Sequence, residues 1–371
     1  MKFQLLAGAA LAALIATAPA ARGEIVLGLM APLTGPLAAV GAQIKNGAET
    51  AVEEINKKGG VNGEQLSLKI ADDAGEPKQG VSAANQLVGE GVRFVVGPVT
   101  SGVAVPASSV LAENGVLMVT PTATAPDLTA RGLTTVFRTC GRDDQQGEVA
   151  AAYIAKNFKD KKIAVIHDKT TYGQGLADET RKGLTKAGIK DVLYEGVNAG
   201  EKDFSALISK IKSVGADFVY WGGLHTEGGL IVRQMRDQGV KAVLISGDGI
   251  TTDEFATIGG PGVEGTLMTF PPDPQKRPEA AAVIKKFEAK NFKPEAYTLY
   301  SYAAVQIMAE GAKRANSTDP KKISEALRGG QAVKTVIGDI AFDKKGDITR
   351  PDYTMYTWKK GADGKITYVE N

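Results

Sequence analysis

The segment AVLISGDGI at 242–250 ends an apolar run at a single acid, Asp248, which lies between Gly247 and Gly249. Glycine lets the backbone turn sharply and lets another group come close to it. An acid at the end of a buried strand, between two such residues, is poorly placed for a charge that is only hydrated. The sequence therefore predicts that the Asp248 carboxylate binds a positively charged group.

Other chemically useful residues also follow apolar runs. Ser101 and Gly102 open a predicted helix directly after FVVG. The free N–H groups and the positive dipole end of a helix start suit an anion such as a carboxylate. The remaining residues at such strand ends are Thr122, Thr124, Tyr172 and Leu224.

These strand-end residues are expected to share one site, because ligands of open α/β sheets bind outside the carboxyl ends of the strands. For each residue alone, capping or turn chemistry explains its presence equally well. Their common placement favours a site. One acid and one helix start predict a zwitterion site, in which Asp248 holds an ammonium and Ser101 a carboxylate.

The elements that must position these residues alternate between strand and helix along two stretches, near 24–140 and 143–270. This rhythm predicts an α/β fold with two similar lobes, each a parallel sheet covered by helices. Strands are predicted at 25–30, 66–72, 94–97, 116–120, 162–168, 192–197, 218–223 and 242–248. Helices are predicted at 41–58, 78–90, 102–113, 173–187, 203–213, 226–238, 278–290 and 296–314. The tail predicts strands and a hairpin at 336–343, 353–360 and 365–370.

Composition narrows the function classes. The 371 residues include 44 Lys+Arg and 42 Asp+Glu, a net charge of +2. That balance gives no support for nucleic-acid binding, which needs a concentrated basic face. The length suggests two domains. Cys140 is the only cysteine, so neither an intramolecular disulfide nor a cysteine metal site is possible, and it is expected to be a small buried apolar residue.

The N-terminal segment MKFQLLAGAALAALIATAPAARGE has the pattern of a secretory signal. It has one early lysine, a short apolar stretch and small residues at a cleavage site. Cleavage is expected after Ala20, Ala21 or Gly23. A transmembrane anchor is the weaker alternative, because the apolar run is too short to cross a bilayer. With no cysteine nearby, no lipid anchor is expected. The mature chain is therefore predicted to lie outside the cytoplasmic membrane.

Catalytic motifs are missing from the sequence. It has no G-x-x-x-x-G-K-[ST] phosphate loop, no G-x-G-x-x-G after a strand, no H-E-x-x-H and no G-x-S-x-G elbow. His167 and His225 lie far apart, and His167 is interpreted as a packed or capping residue. The acid pairs at 72–73 and 143–144 are interpreted as caps of N–H groups. We therefore predict no enzyme, no cofactor and no metal site.

The chain resembles the periplasmic Leu/Ile/Val-binding proteins of branched-chain amino-acid ABC importers over essentially its whole mature length. It is most similar to broad-specificity α-proteobacterial members, some of which also take γ-aminobutyrate. The stretches that carry the resemblance are PLTGPLAAVGAQIKNGAETAVEEIN, DDAGEPKQGV, TPTATAPDLT, FRTCGRDDQQG, IHDKTTYGQGLA, GEKDFSALI, FVYWGG, YWGGLHTE and YSYAAVQ.

The resemblance implies a type I periplasmic binding fold, in which two Rossmann-like lobes are joined by a three-strand hinge and close on the ligand. The expected divisions are a signal peptide at 1–23, lobe 1 at 24–142 plus 272–350, and lobe 2 at 143–271 plus 351–371.

The resemblance also implies roles for particular residues. Ser101 and Thr124 meet the ligand's α-carboxylate. The α-ammonium meets the Thr122 carbonyl, the Thr124 hydroxyl and the Asp248 carboxylate, while Tyr172 approaches from the far lobe. The other ligand-binding positions expected are Val40, Val99, Thr100, Asp143, Leu224, Gly249 and Tyr297.

Four departures from leucine-selective members put strict leucine preference in doubt. Val40 stands where an aromatic residue is common, Leu224 where a tyrosine is common, and Asp248 where a glutamate is usual. The disulfide that those members often have at the positions of Gly75 and Thr100 is missing. We therefore expect broad specificity.

The resulting prediction is a periplasmic protein, expected to be a monomer, that captures aliphatic L-amino acids by clamp closure and delivers them to the permease of an ABC importer. The alternatives left open are a binder of γ-aminobutyrate or small amino acids, and a sensor that docks on a receptor. A secreted hydrolase lacks its nucleophile–base pair. An aromatic acid lacks an ammonium, so Asp248 would be an unfavourable neighbour for it.

Overall fold

A computed structural model describes residues 23–350 and 353–371. The signal peptide predicted at 1–23 falls, except for Gly23, outside the described residues. The fold is α/β, with two mostly parallel sheets flanked by helices, as predicted. Within the described part of the chain, no helix has both the length and the apolar composition that a membrane crossing needs.

The first sheet contains five parallel strands in the spatial order β2-β1-β3-β4-β5. Its central strands are buried on both faces, which explains their unbroken apolar runs. The strands are β1 (Glu24–Ala31), β2 (Gln65–Asp72), β3 (Phe94–Val96), β4 (Leu117–Thr120) and β5 (Val136–Arg138). The accompanying helices are α1 (Ala38–Lys57), α2 (Pro77–Gly89), α3 (Ser101–Glu113) and α4 (Asp127–Ala130). The next helix along the chain, α5 (Asp143–Asn157), packs with the second sheet.

The second sheet repeats this plan. Its spatial order is β14-β13-β10-β9-β8-β6-β7, so its parallel part, β7-β6-β8-β9-β10, has the same connectivity as the first sheet. The strands of that part are β6 (Ile163–His167), β7 (Leu193–Gly196), β8 (Phe218–Gly222), β9 (Val243–Ser246) and β10 (Leu267–Phe270). The accompanying helices are α6 (Thr171–Lys186), α7 (Ser205–Val214), α8 (His225–Asp237) and α9 (Asp253–Gly259).

The C-terminal third is divided between the two sheets. Helix α11 packs along α1 and also contacts β3 and β4 of the first sheet. The predicted hairpin of the tail forms antiparallel strands that extend the second sheet. The elements are α10 (Ala281–Ala289), α11 (Ala296–Ala315), α12 (Pro320–Leu327), β11 (Val333–Thr335), β12 (Gly338–Ile340), β13 (Thr354–Lys360) and β14 (Ile366–Glu370).

The contact between α1 and α11 depends on Gly47. A Cβ at this position would lie 2.3 Å from the carbonyl oxygen of Thr298 and 2.9 Å from the Cβ of Ser301. These approaches are closer than real Cβ atoms make, so a larger residue would push the helices apart. The position matters for function because α11 also carries Tyr297.

Several predicted boundaries differ from the structure. The strand predicted at 336–343 is instead the short hairpin β11–β12, which begins earlier and turns at 336–337. The helix predicted at 278–290 starts with a 3₁₀ turn at Pro278–Ala280 and becomes α-helical only at Ala281. The elements that were not predicted are α4, β5, α5, α9, β10 and α12.

Three stretches carry the chain between the sheets. It leaves the first sheet between β5 and α5, returns between β10 and α11, and leaves again before β13. Helix α5 contacts α6, β10 and β13, so it belongs with the second sheet. The loops after β3 and β4 and those after β6, β8 and β9 line one cavity, so the carboxyl ends of the two sheets face each other.

Candidate ligand-binding cavity

A cavity of about 480 Å³ lies between the carboxyl ends of the two sheets. Its volume falls in the range typical of small-molecule sites, roughly 300–1,000 Å³. The chain order of the strands reverses between β1 and β3 in the first sheet and between β6 and β8 in the second. Loops from both sides of these two points line the cavity, and open α/β sheets bind their ligands at such points. The predicted site residues that line it are Val40, Val99, Thr100, Ser101, Thr122, Tyr172, Leu224, Asp248, Gly249 and Tyr297.

Asp248 is 5% exposed and is held by side chains from three helices. The Tyr172 hydroxyl at the start of α6 donates to Oδ1 at 2.9 Å. The Gln146 amide of α5 donates to the same oxygen at 2.7 Å. The Tyr297 hydroxyl of α11 donates to Oδ2. In this arrangement of the two sheets, the carboxylate is fixed and oriented in the cavity wall.

The glycines beside Asp248 serve close packing. A Cβ at Gly249 would lie 2.8 Å from the Tyr172 hydroxyl, and the Gly249 N–H donates to that oxygen at 2.9 Å. A Cβ at Gly247 would lie 2.5 Å from the Leu176 side chain. Both positions therefore require the close approach that the sequence predicted for them.

A second buried acid stands behind Asp248. Asp143 is fully buried, and burial raises its pKa well above the ordinary value, with the charge of Asp248 adding to the rise. Burial likewise raises the pKa of Asp248, while the hydrogen bonds it accepts oppose that rise. Two carboxylates in one low-dielectric region repel each other. A ligand cation next to Asp248 would relieve this repulsion.

Gln146 connects the two acids and was not predicted from the sequence. Its Nε2 donates to Asp248 and lies 3.3 Å from Asp143 Oδ1. Its Oε1 accepts from the backbone N–H of Asp248 at 2.9 Å and from the Thr269 hydroxyl at 2.7 Å. The residue lies in the segment DDQQG, where nothing marks it apart from its neighbours, because its role depends on strands more than 100 positions away.

The anion end of the predicted site lies at the start of α3. Thr100 precedes the helix with extended backbone, and Ser101 and Gly102 are its first residues. The N–H groups of a helix's first turn have no partner inside the helix. The Ser101 oxygen accepts from the Ala125 N–H at 3.1 Å, which leaves its own proton free to donate.

Thr124 and Asp143 do not line the cavity, unlike the other ten predicted site residues. Thr124 is 1% exposed. The Thr124 side chain interacts with the Asp143 carboxyl group and opposes the rise in the pKa of Asp143. The Asp143 N–H donates to the Thr124 carbonyl at 3.0 Å. Both residues lie behind the wall that Asp248 forms.

The cavity wall also includes polar residues that were not predicted as site residues. Asp168 follows β6, and His225 and Glu227 lie in the first turn of α8. His225 Nε2 lies 2.9 Å from a carboxylate oxygen of Glu254. The position of all three after a parallel strand was the signal that could have found them. By contrast, His167 is a capping residue as interpreted, since its Nδ1 accepts the Lys169 N–H at 3.1 Å.

The polar groups of this cavity indicate to which class of protein the chain belongs. Among the described residues, no cluster of His, Cys, Asp and Glu could hold a metal ion. Ser101 Oγ accepts the Ala125 N–H, and no His, Lys, Asp or Glu side chain of the described residues hydrogen-bonds to it. A cavity between two α/β units, with an acid on one wall and a helix start on another, is the site of a binding protein.

Comparison with known proteins gives the family. A family model described as "Periplasmic binding protein" matches residues 24–365. The chain belongs to the periplasmic binding protein family, whose members are solute-binding proteins and not enzymes. "Leu/Ile/Val-binding protein homolog 1" of Brucella suis biovar 1 (strain 1330) is 57% identical over 370 residues, covering 100% of both chains. The resemblance found in the sequence is confirmed.

Solved structures agree with this assignment. The leucine-binding protein LivK of Thermotoga maritima MSB8 is similar with a TM-score of 0.85 at 29% identity, over 93% of this chain and 97% of that one. The substrate-binding protein LivJ of Streptococcus pneumoniae str. Canada MDR_19A, solved in complex with isoleucine, has a TM-score of 0.83 at 27% identity, over 94% and 100%. The predicted fold is thereby confirmed.

Proposed function

We propose that this protein binds an aliphatic L-amino acid between its two sheets and delivers it to an ABC importer. The observation that carries the proposal is the pair of opposite polar ends in one cavity. Asp248 supplies a buried, oriented carboxylate, and the start of α3 at Ser101 supplies the N–H groups and the positive dipole end of a helix. A zwitterion is the small ligand that satisfies both ends, since a buried charge needs a partner.

The ammonium would bind at Asp248. Without a ligand, this carboxylate and Asp143 lie buried together with Gln146 between them. A positive charge beside Asp248 would pair with its carboxylate and offset the cost of burying that charge. A ligand that carries only a carboxylate would leave the two acids unbalanced, which argues against aromatic acids as ligands.

The side chain of the ligand would lie against an aliphatic wall. Val40 and Leu224 both line the cavity and offer shape contact without aromatic stacking. Such a wall discriminates only weakly between aliphatic side chains, since one methylene is worth about 1–3 kcal/mol in an apolar pocket. We propose that leucine, isoleucine and valine bind, in keeping with the names of the relatives, and that alanine binds as well.

Closure of two lobes would enclose the ligand. The proposed lobes are 24–142 with 272–350, and 143–271 with 351–371, and the three stretches between the sheets would form the hinge. Tyr297 lies on α11, which packs on the first sheet, while Asp248 follows β9 of the second. Their hydrogen bond therefore spans the two lobes, and it would form only when the lobes are together.

The proposal places the mature protein in the periplasm as a monomer, with the membrane-embedded permease as its partner. Uptake of radiolabelled leucine by a deletion strain tests delivery directly. Restored uptake on complementation supports the role in transport. Unchanged uptake in the deletion strain, with binding intact in the purified protein, would favour a receptor-docking sensor.

A thermal-shift screen tests the ligand class. The protein is first unfolded and refolded to remove bound ligand, and then scanned with the twenty amino acids and γ-aminobutyrate. A ligand at 100 times its dissociation constant adds about 2.7 kcal/mol to the free energy of unfolding. We expect aliphatic amino acids to raise the transition temperature. If no amino acid shifted the transition at millimolar concentration, the proposal would be wrong.

A further inference from the structure

The cavity extends well beyond the place where Asp248 would hold an ammonium. Asp248 follows β9, and next to β9 in the sheet come β8, β6 and β7 in that order. Loops after all four strands line the cavity. With neighbouring strands about 4.8 Å apart, the cavity runs roughly 14 Å along this edge. Leucine bound at Asp248 would leave its other end unfilled.

We define the distal end of the cavity by the residues that follow β6 and β7 and open α8. Asp168 follows β6, Ala199 and Gly200 follow β7, and Glu227 lies in the first turn of α8. The Asp168 N–H donates to the carbonyl of Gly222 at the end of β8 at 3.0 Å, so the two acids come from adjacent strand ends.

Both acids are almost completely buried, and in each only one of the two carboxylate oxygens accepts a hydrogen bond. Asp168 is 3% exposed and Glu227 is 8% exposed. Asp168 Oδ1 accepts from the N–H and the hydroxyl of Thr170 at 2.9 and 2.6 Å. Glu227 Oε1 accepts from the Gly200 N–H at 2.8 Å. Asp168 Oδ2 and Glu227 Oε2 accept no hydrogen bond from a described residue.

No described side chain neutralises these acids. Lys169 also lines the cavity, but its ammonium donates to Asn198 at 3.1 Å, and its stem runs along Gly196 at the end of β7. His225 pairs with Glu254. Burial raises the pKa of Asp168 to about 6, and the nearby charge of Glu227 adds to the rise. Both acids line the cavity, so a cation in its distal end could pair with the two oxygens that accept no hydrogen bond.

We propose that the distal end of the cavity binds the positively charged end of a basic amino-acid side chain, that of lysine or arginine. The inference rests on the proposed function, because the α-ammonium and α-carboxylate must be held at Asp248 and Ser101 for the side chain to reach the distal end. The distance fits a chain of several methylenes. Asp248 and Glu227 follow adjacent strands, and Asp168 lies one strand further, at roughly 5 and 10 Å by strand spacing.

The methylenes between the two charges would lie against the apolar wall. Leu224 stands directly before the turn of α8 that carries Glu227, and Val40 faces the cavity from the other sheet. Apolar stems of long cationic side chains pack well on such surfaces while their ends stay with polar groups. The same wall therefore serves leucine and the stem of lysine.

Paired ligands that differ only in the distal charge provide the test. Calorimetry on refolded, ligand-free protein compares L-lysine with L-norleucine and L-arginine with L-citrulline, with L-leucine in parallel. We expect lysine and arginine to bind at least about tenfold more tightly than their neutral partners, a difference of about 1.4 kcal/mol. Equal or tighter binding of the neutral partners would overturn the inference.

Two variants test whether Glu227 and Asp168 cause the preference for a positively charged side chain. Glu227→Gln keeps an acceptor for the Gly200 N–H, and Asp168→Asn keeps one for Thr170. In both, the preference for lysine over norleucine should fall towards unity, while exposed Glu264→Gln should keep it. If both variants kept the full preference, another group would be responsible and the inference would fail. If one variant failed to fold, the other variant and the wild-type ratios of affinity for charged and neutral ligands would still test the proposal.

The two proposals fail in different ways. Leucine binding without lysine binding would leave the proposed function standing and overturn the distal subsite. Lysine binding without leucine binding would support the subsite and overturn the aliphatic assignment. Binding of neither would overturn both.

Discussion

The Tyr297 hydroxyl donates a hydrogen bond to Asp248 across the cavity, from a helix packed on the first sheet to a loop of the second. This hydrogen bond has two effects. It stabilises the charged form of a buried carboxylate, and it joins the two halves of the cavity wall. The proposed binding of the ligand's ammonium and the proposed closure of the cavity would thus depend on the same carboxylate.

Replacing Tyr297 with Phe should weaken leucine binding. The change removes one hydrogen bond to a charged group, which contributes about 1.5–3 kcal/mol, so the dissociation constant should rise roughly 10- to 150-fold. Isothermal titration calorimetry on ligand-free protein measures it. Tyr153→Phe on the outer part of α5 is the matched control and should bind as wild type does. An unchanged affinity in Tyr297→Phe would mean that the bond does not support the ligand site.

Gln146→Leu should lower both stability and affinity. The variant leaves the Asp248 N–H and the Thr269 hydroxyl without their acceptor in a buried region. Each unpaired buried group costs about 1–3 kcal/mol, so the free energy of unfolding should fall by several kcal/mol.

Denaturant unfolding of the ligand-free protein checks this prediction. Gln174→Leu, on the exposed side of α6, is the control and should change stability little. If Gln146→Leu were as stable as the control, the amide would not be the connection between the acids that the structure shows.

Asp73→Asn should change how stability depends on pH. Burial raises the pKa of Asp73 to about 6, against an ordinary value near 4 in the unfolded chain. Between these values the folded protein holds a proton that the unfolded chain has lost, so this acid makes the protein less stable as pH rises through that window. The full effect is about 3 kcal/mol.

The measurement is the free energy of unfolding of wild type minus that of Asp73→Asn at several pH values. The difference should fall by up to about 3 kcal/mol between roughly pH 4 and pH 7. Gln174→Leu provides the control, because it changes no ionisable group and its difference should stay flat. A difference for Asp73→Asn that rises with pH would show the opposite sign of shift.

Leucinamide should bind much more weakly than leucine. The amide keeps the ammonium for Asp248 but loses the negative charge that the start of α3 attracts. Competition against bound leucine in the ligand-free preparation gives the ratio of affinities, which we expect to exceed about tenfold. Similar affinities for the two compounds would show that the ligand's carboxylate does not bind at the start of α3.

The sequence predicted most of what depends on neighbouring residues. The apolar run that ends at Asp248 between glycines predicted both the strand β9 and a functional acid. The helix start at Ser101 was predicted in the same way, from residues in direct succession. What the sequence could not show is which distant residues meet. Gln146 reaches Asp248 only because α5 lies beside the second sheet, and the segment around it contains no local signal.

Short elements were missed for a related reason. The strands β5 and β10 have three and four residues, too few to show a period, and their neighbours in the sheet supply most of their stability. Thr124 and Asp143 remain predictions as ligand-binding residues, and neither lines the cavity. Both were expected at the ligand, and the structure places them just behind the cavity wall.

The leucine affinity of Asp248→Asn tests the central claim most directly. Asparagine keeps the size of the side chain and removes the charge that is expected to pair with the ammonium. Breaking a buried pair in this way costs about 3–5 kcal/mol, so calorimetry on ligand-free protein should show affinity lowered by at least about 100-fold with the fold intact. Near-native affinity for leucine in this variant would contradict the assignment of Asp248 as the ammonium site.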